Sequence, residues 1–358
     1  MDIFKIRVTM LGTTGVGKTA LTAAMHEVFE ENAGGYRLAV PNANERKLLR
    51  NWWTAITVFR GREWRRPAGS TQFEDISFVL QAQLEPILEL KFVDYKGGLV
   101  FTQDTAATNA NKTSELSDVA RLDKYIDESD ALMILVDSWS IQNKGPRTAA
   151  ADNELNLILA NIETWLSSHK DRRLALALVL TKCDAVPFDS REQFSGRVST
   201  VFKKISMLSQ LYPERLRAAP IPVSVLGRSS ASNLTTTDKD GVLEHKVTIS
   251  GDPEPFRVHE PILYCIKCVL EQLQQNLAHE IETVSRVLET SAVNSSISND
   301  IASYFRGELS HRKRASLSYA TLQNLRRNLT QLESSLRPLT IRVAHIKELS
   351  HETVLLDI

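Results

Sequence analysis

The sequence predicts an α/β protein: a doubly wound, mostly parallel sheet with a helical region appended after it. Three observations carry that expectation. Strand-like and helix-like segments alternate from the N-terminus to about residue 227, the pattern of a parallel sheet crossed by helices. An apolar run at residues 3–11 leads straight into a glycine-rich turn and then into helical spacing. From about Glu260 onward the signal is long amphipathic helix alone.

The opening apolar run is the first strand, and Ala20, Leu21, Ala24, Met25, Val28 and Phe29 mark one face of the helix after it. Residues 76–84 and 87–93 read as strands, with Glu85-Pro86 as the turn between them. Residues 131–136 and 174–180 are continuous apolar runs, as buried parallel strands should be. Between them Leu155, Ile158, Leu159, Ile162, Trp165 and Leu166 share a helix face, with Asp152 as its expected cap. One helix is expected over residues 191–211 and a last strand over 221–226, following Pro220 and Pro222. Two insertions interrupt the plan. Residues 30–72 form a long connection with a helix-like stretch at 45–57 that includes Trp52 and Trp53. Residues 228–252, rich in Ser, Thr, Asp and Gly, read as a mobile loop with room for a short hairpin.

Past residue 260, Ile266, Val269, Leu270, Leu273, Leu277, Ile281, Val284 and Leu288 define one amphipathic helix, and residues 294–300 a turn and cap. Leu322, Leu325, Leu329, Leu332, Leu336, Leu339, Val343 and Ile346 then recur at spacings of three and four. This is a heptad seam, in which Pro338 is expected to kink or divide the helix. It reads first as a helical hairpin packed within the chain, and second as a coiled-coil seam for a second copy or another protein. The expected organisation is therefore a domain at 1–290, with insertions at 30–72 and 228–252. A helical tail at 291–358 follows, pairing with the 260–290 helix as hairpin or coiled coil.

Composition narrows the function classes. Lys+Arg and Asp+Glu each total 43 in 358 residues, so no global field points to nucleic acid or a membrane surface. No stretch approaches the roughly 20 apolar residues of a membrane span, and the start Met1-Asp2-Ile3-Phe4-Lys5 lacks the apolar core of a signal peptide. The 3 cysteines, Cys183, Cys265 and Cys268, are too few for a disulfide framework and point to a reducing cytoplasm. Cys265-x-x-Cys268 lies in helical spacing with no second pair, and reads as two small apolar side chains.

The turn after the first strand is Gly12-Thr13-Thr14-Gly15-Val16-Gly17-Lys18-Thr19, a P-loop. Its glycines let backbone N–H groups turn inward around oxyanions, and the following helix N-terminus favours negative charge. Lys18 would reach the β- and γ-phosphates of a nucleotide, and the Thr19 hydroxyl would ligate Mg²⁺. Thr181-Lys182-Cys183-Asp184 ends a buried strand. A carboxylate there accepts hydrogen bonds from guanine N1–H and its exocyclic amine; adenine lacks both donors. The Lys182 stem would lie along the base face. Asp94-Tyr95-Lys96-Gly97 ends the run at 87–93. Asp94 would hold Mg²⁺ through a water, and the Gly97 N–H would bond the γ-phosphate that only GTP carries. Thr71 is the first-switch candidate for Mg²⁺, with Ser70 and Thr57 competing. Ser224-Val225 would add backbone contacts to guanine.

These motifs, in this order, resemble the Ras-like GTPases of the translation-factor-related P-loop class, over about residues 3–227 plus the helix from Glu260. The resemblance implies a P-loop GTPase sheet that binds GTP or GDP with Mg²⁺. Gly12, Thr13, Gly15, Val16, Gly17, Lys18 and Thr19 would surround phosphate and metal, with Ala20 near the base. Asp94 and Gly97 match the second switch, and Thr181, Lys182 and Asp184 the base-reading motif. The long first-switch insertion and appended helices look more like the bacterial double-GTPase-type proteins encoded beside defence or conflict-system genes. One departure affects mechanism: the position after the switch glycine, usually a water-orienting Gln, is Gly98. Intrinsic hydrolysis should be slow unless another group or a partner substitutes. Gln103, Asp104 and the arginines Arg60, Arg62, Arg65 and Arg66 are nearby polar candidates, and His311-Arg312-Lys313-Arg314 reads as a solvated helix end.

Three functions follow from these residues. A regulatory GTPase, read by a protein partner through its switches or helices, fits Lys18, Thr19 and Asp94. A nucleotide-dependent scaffold with little hydrolysis fits Gly98. An ATP-dependent phosphotransferase is disfavoured by Asp184.

Overall fold

Seven strands form the main sheet: Phe4–Gly12 (β1), Tyr36–Ala39 (β2), Glu74–Ala82 (β3), Glu85–Asp94 (β4), Ala131–Asp137 (β5), Leu174–Thr181 (β6) and Leu216–Pro222 (β7). The computed structural model describes residues 4–12, 15–30, 36–58, 74–82, 85–94, 124, 126–142, 146–170, 172–186, 191–228, 231–237, 243–293 and 311–349. The strand order is β2-β3-β4-β1-β5-β6-β7. Strands β4, β1, β5, β6 and β7 run parallel, and β2 and β3 join antiparallel at one side. The helices are Lys18–Glu30 (α1), Ala43–Thr57 (α2), Ser138–Gln142 (α3), Pro146–Ser168 (α4), Arg191–Val201 (α5), Lys203–Leu211 (α6), Glu260–Val293 (α7) and His311–Arg342 (α8). This is the expected mostly parallel α/β sheet with C-terminal helices, and it puts β1 and its glycine-rich turn at the centre.

Burial explains why β5 and β6 are nearly uninterrupted apolar runs. Every residue of β6 is buried, and so are the first five of β5. Leu176 and Leu178 pack with Ile158, Leu159 and Trp165 of α4 and with Phe194 and Val198 of α5. Each such side chain contributes about 1.5–3 kcal/mol when fully withdrawn from water.

Several elements depart from the sequence reading. Strand β2 lies inside the 30–72 insertion and was too short to show as a pattern, although Tyr36 and Leu38 are buried and Arg37 exposed. Glu85 and Pro86 belong to β4 instead of forming a turn. They pair with Ala82 and Gln81 of β3, just past a register shift at Leu80/Gln81. The last strand is 216–222, not 221–226, and contains both prolines. Val223 N–H donates to Leu180 O at 2.9 Å, so by the two-residue period Pro220 and Pro222 face away from β6. There the missing N–H costs no ladder bond. The helix expected at 191–211 breaks at Phe202 (φ −95°, ψ 14°), which separates α5 from α6. Asp152 lies inside α4, not at its cap. Of the two readings of residues 228–252, mobile loop or short hairpin, the hairpin holds: Ala231–Thr237 (β8) and Leu243–Ile249 (β9) pair antiparallel. Pro338 sits inside α8 without dividing it.

The hairpin closes a second apolar cluster. Val247 and Ile249 of β9 pack with Ala20 and Ala23 of α1, Ile56 of α2 and Leu226, flanked by Trp52, Trp53 and Val225. Helix α2 also covers an open strand edge: β3 pairs with β2 only from Val79 onward, and Ser77 N–H donates to Glu45 Oε2 at 2.9 Å.

The chain divides into two compact units, Met1–Ile266 with Val343–Ile358, and Lys267–Arg342. In the first, the returning segment seals the edge of β7. Leu349 N–H donates to Ala218 O at 2.7 Å, and Arg217 Nε donates to Glu348 Oε1 at 2.8 Å. His345 Nε2 lies 2.9 Å from Glu260 Oε2. In the second, Leu322, Leu325, Leu332, Leu336 and Leu339 are buried, and Gln274 of α7 bonds Glu333 of α8 at 3.4 Å. Among the described residues no helix is long and apolar enough to cross a membrane.

Candidate functional site

The carboxyl ends of β1, β5, β6 and β7 lie side by side, and the segments leaving them build one candidate site. From β1 comes the glycine-rich turn. Gly12 (φ 155°), Gly15 (φ 78°) and Gly17 (φ 103°) all have backbone angles that side chains rarely adopt. Gly12 is also crowded: a Cβ would meet Leu135 O and Val16 Cγ1 at 3.0 Å. At Gly17 a Cβ would meet nothing within 4 Å, so the turn borders open space there. Lys18 is 6% exposed, and its Nζ donates to Gly12 O at 2.7 Å. A buried ammonium folded back over its own turn, with open space beside Gly17 and a helix N-terminus behind, is a donor set that fits phosphate oxygens. Thr19 and Ala20 follow Lys18 in the first turn of α1, and Ala20 packs with the hairpin cluster.

From β6 comes the base-reading candidate. The Thr181 hydroxyl donates to Val16 O at 2.8 Å and also lies 3.2 Å from Val136 O. One side chain therefore ties together two sequence motifs 165 residues apart. Lys182 adopts a left-handed backbone (φ 56°, ψ 36°), a conformation that costs about 1–3 kcal/mol for such a residue. Its ammonium pairs with Asp137 Oδ2 at the tip of β5. Cys183 is buried, and that burial, with Asp184 beside it, pushes its thiol up to about 12; it is an inert packing group.

Asp184 is half-buried and is held from β7. Ser224, 1% exposed, donates its hydroxyl to Asp184 Oδ1 at 2.5 Å and accepts from Gly227 N–H at 2.8 Å. Gly227 (φ 79°) admits no side chain, because a Cβ would stand 2.3 Å from Glu254 O. Ser224 also exchanges backbone hydrogen bonds with Phe256 at 2.8 and 3.1 Å. Val225 packs beside the hairpin cluster.

Lys18, Val16, Thr181, Lys182, Asp184 and Ser224 are thus brought into one region. Asp94 is the final residue of β4, next to β1 in the sheet. Thr13, Ser70, Thr71, Gly97, Gly98, Gln103, Asp104, Arg60, Arg62, Arg65 and Arg66 lie outside the described residues. Thr57 ends α2 and bonds Thr54 O at 3.2 Å, a local helix-end contact. Cys265 and Cys268 are buried in α7, with Cys265 Sγ 3.8 Å from Leu132 O. Sequence reasoning missed Asp137 and the side-chain role of Ser224. Asp137 was visible as the acid that ends the apolar run 131–136; nothing in the pattern marked which atom of Ser224 matters.

The class defined by these observations is an α/β protein whose glycine-rich phosphate-type turn and TKxD loop meet at the carboxyl ends of a parallel sheet. No protein-family model matches the chain, and no curated protein matches it. Among solved structures, the chain is similar to the signal recognition particle receptor SRb-GTP/SRX complex from Chaetomium thermophilum. That match has 13% identity and a TM-score of 0.36, covering 62% of this chain and 94% of that one. It is also similar to Era in complex with MgGDPNP and a segment of 16S ribosomal RNA, at 14% identity and a TM-score of 0.29, covering 62% of this chain and 52% of that one. Likeness at this level bears on neither the ligand nor the partners of this chain.

Proposed function

We propose that this protein is a GTP-binding switch that uses Mg²⁺ and hydrolyses GTP slowly or with the help of a partner. The observation that carries the reading is the Thr181 hydroxyl bonded to Val16 O. It fixes the candidate base loop against the candidate phosphate turn, so one ligand with a purine at one end and phosphates at the other spans both. Gly12, Thr13, Gly15, Val16, Gly17 and Lys18 hold the phosphates. Thr19 binds Mg²⁺ directly, with Asp94 through water and Thr71 in the triphosphate state. Asp184, presented by Ser224, reads guanine, and loss of the γ-phosphate contact at Gly97 releases the switch. Gly98 supports slow intrinsic turnover, and it equally supports a second reading as a nucleotide-dependent scaffold with little hydrolysis. A protein partner reads the state through the switches or the α7–α8 helices, in the cytoplasm. The long first-switch connection and the appended helices support a place near the bacterial double-GTPase-type proteins of defence or conflict systems.

The test is the identity of the nucleotide released from purified protein, followed by GTP, GDP and ATP titrations with and without Mg²⁺. Guanine nucleotides should bind at least tenfold more tightly than adenine nucleotides, and Asp184→Asn should shift preference toward xanthine nucleotides. Equal binding of ATP, or unchanged preference in Asp184→Asn, overturns the reading.

A further inference from the structure

Lys182 and Asp137 form an arrangement that base recognition by Asp184 does not itself require. The sheet register sets Asp137 opposite Thr181, so the two side chains rise from neighbouring strand tips. One carboxylate oxygen of Asp137, Oδ2, accepts from Lys182 Nζ. The other, Oδ1, accepts from the Trp139 N–H at 3.0 Å and lies 3.4 Å from the Ser140 N–H. The carboxylate is thereby fixed by the start of α3 on one side and holds the ammonium on the other. The side chains are 16% and 21% exposed, so solvent screens this pair less than it would a surface pair. Lys182 meanwhile keeps its left-handed backbone, which lysine rarely occupies without restraint.

We infer that Asp137 is a positioning residue for the base loop: it anchors the Lys182 ammonium so that the lysine stem is already in place to line one face of a guanine base. The inference rests on the nucleotide reading above and adds a residue to it. A free lysine samples many rotamers, and ordering them on binding lowers affinity; an anion fixed by backbone N–H groups orders them beforehand. Asp137 acts on the base side, so its effect is equal for GDP and GTP, and it passes entirely through Lys182.

A double-mutant cycle on the full-length protein tests this, read as the release rate of a fluorescent GDP analogue and of its GTP counterpart. Asp137→Asn is the informative variant, because its amide oxygen still accepts from Trp139 and Ser140 while the ion pair is lost. Release of both nucleotides should speed by about tenfold, the worth of a partly enclosed charge-assisted hydrogen bond. In a Lys182→Met background, which keeps the apolar stem and removes the charge, the same change should have no further effect. Unchanged or slower release in Asp137→Asn overturns the proposal, and so does an undiminished effect in the methionine background. If Asp137→Asn does not yield folded protein, Lys182→Met alone decides: about tenfold faster release supports the proposal, and wild-type release overturns it. Failure of the nucleotide reading is distinguishable, since the wild-type protein would then show no preference for guanine over adenine nucleotides.

Discussion

Replacing Ser224 with alanine removes a single oxygen that serves two partners, and the two losses fall on different observables. The hydroxyl accepts from the Gly227 N–H at 2.8 Å in a place that water does not reach, since Ser224 is 1% exposed. Leaving that N–H without an acceptor costs about 1–3 kcal/mol of stability. In a unit of this size that lowers the thermal midpoint by about 2–4 °C per kcal/mol. The same hydroxyl donates to Asp184 Oδ1 at 2.5 Å. A hydrogen bond to a charged acceptor is worth about 1.5–3 kcal/mol, and the lower end applies because Asp184 is only half-buried and water can replace the lost donor. Guanine nucleotide affinity should therefore fall about tenfold. The assay is calorimetric titration of GDP and ADP into wild type and Ser224→Ala, beside thermal scans of both. A lower midpoint with unchanged GDP affinity would refute the link from Ser224 through Asp184 to the base. No change in either quantity would refute the hydrogen-bond accounting itself.

Two further expectations concern a buried histidine and the buried cysteines. His26 of α1 is 2% exposed, 3.5 Å from Glu30 Oε1 and facing Arg37, Arg46 and Arg50; burial is the largest cause holding its pKa below 6.5. The folded protein keeps His26 neutral while the unfolded chain takes up a proton as the pH falls through about 6.5, so its stabilising contribution is present above that pH and lost below it. The thermal midpoint should drop between about pH 7.5 and 5.5, and less so in His26→Gln; equal drops would show that His26 does not titrate this way. With Cys183, Cys265 and Cys268 all buried, and the Cys183 thiol pushed up to about 12, a disulfide reagent at mildly alkaline pH should leave the native protein unmodified. It should titrate 3 thiols after denaturation. Rapid reaction of native protein would mean that the core around Cys183 opens.

The central sheet was legible because buried parallel strands leave unbroken apolar runs, and β5 and β6 are such runs. The glycine-rich turn and the TKxD loop were legible because their backbone demands glycine and their chemistry demands fixed residue types. What escaped lies where tertiary context overrides local pattern. Pro220 and Pro222 read as a boundary, yet they sit in β7, where their positions face away from β6. The 228–252 segment read as a mobile loop with room for a short hairpin, and its regular pairing escaped because its polar residues hide a short apolar stripe, Val247 and Ile249, whose meaning depends on Ala20, Ala23 and Ile56 elsewhere in the chain. Asp137 escaped because its partner is 45 residues away, and no linear spacing encodes which strand tips become neighbours.

The returning segment at 343–349 has a consequence for the order of events on the ribosome. Ala218 on β7 receives Leu349, and Glu260 meets His345, only after more than eighty intervening residues have been made. Synthesis proceeds residue by residue and early parts condense first, so the nascent sheet must wait with its outer border bare while the helical excursion emerges. The clasp is fastened last, and a chain cut short before it would leave that border open to whatever strand comes by.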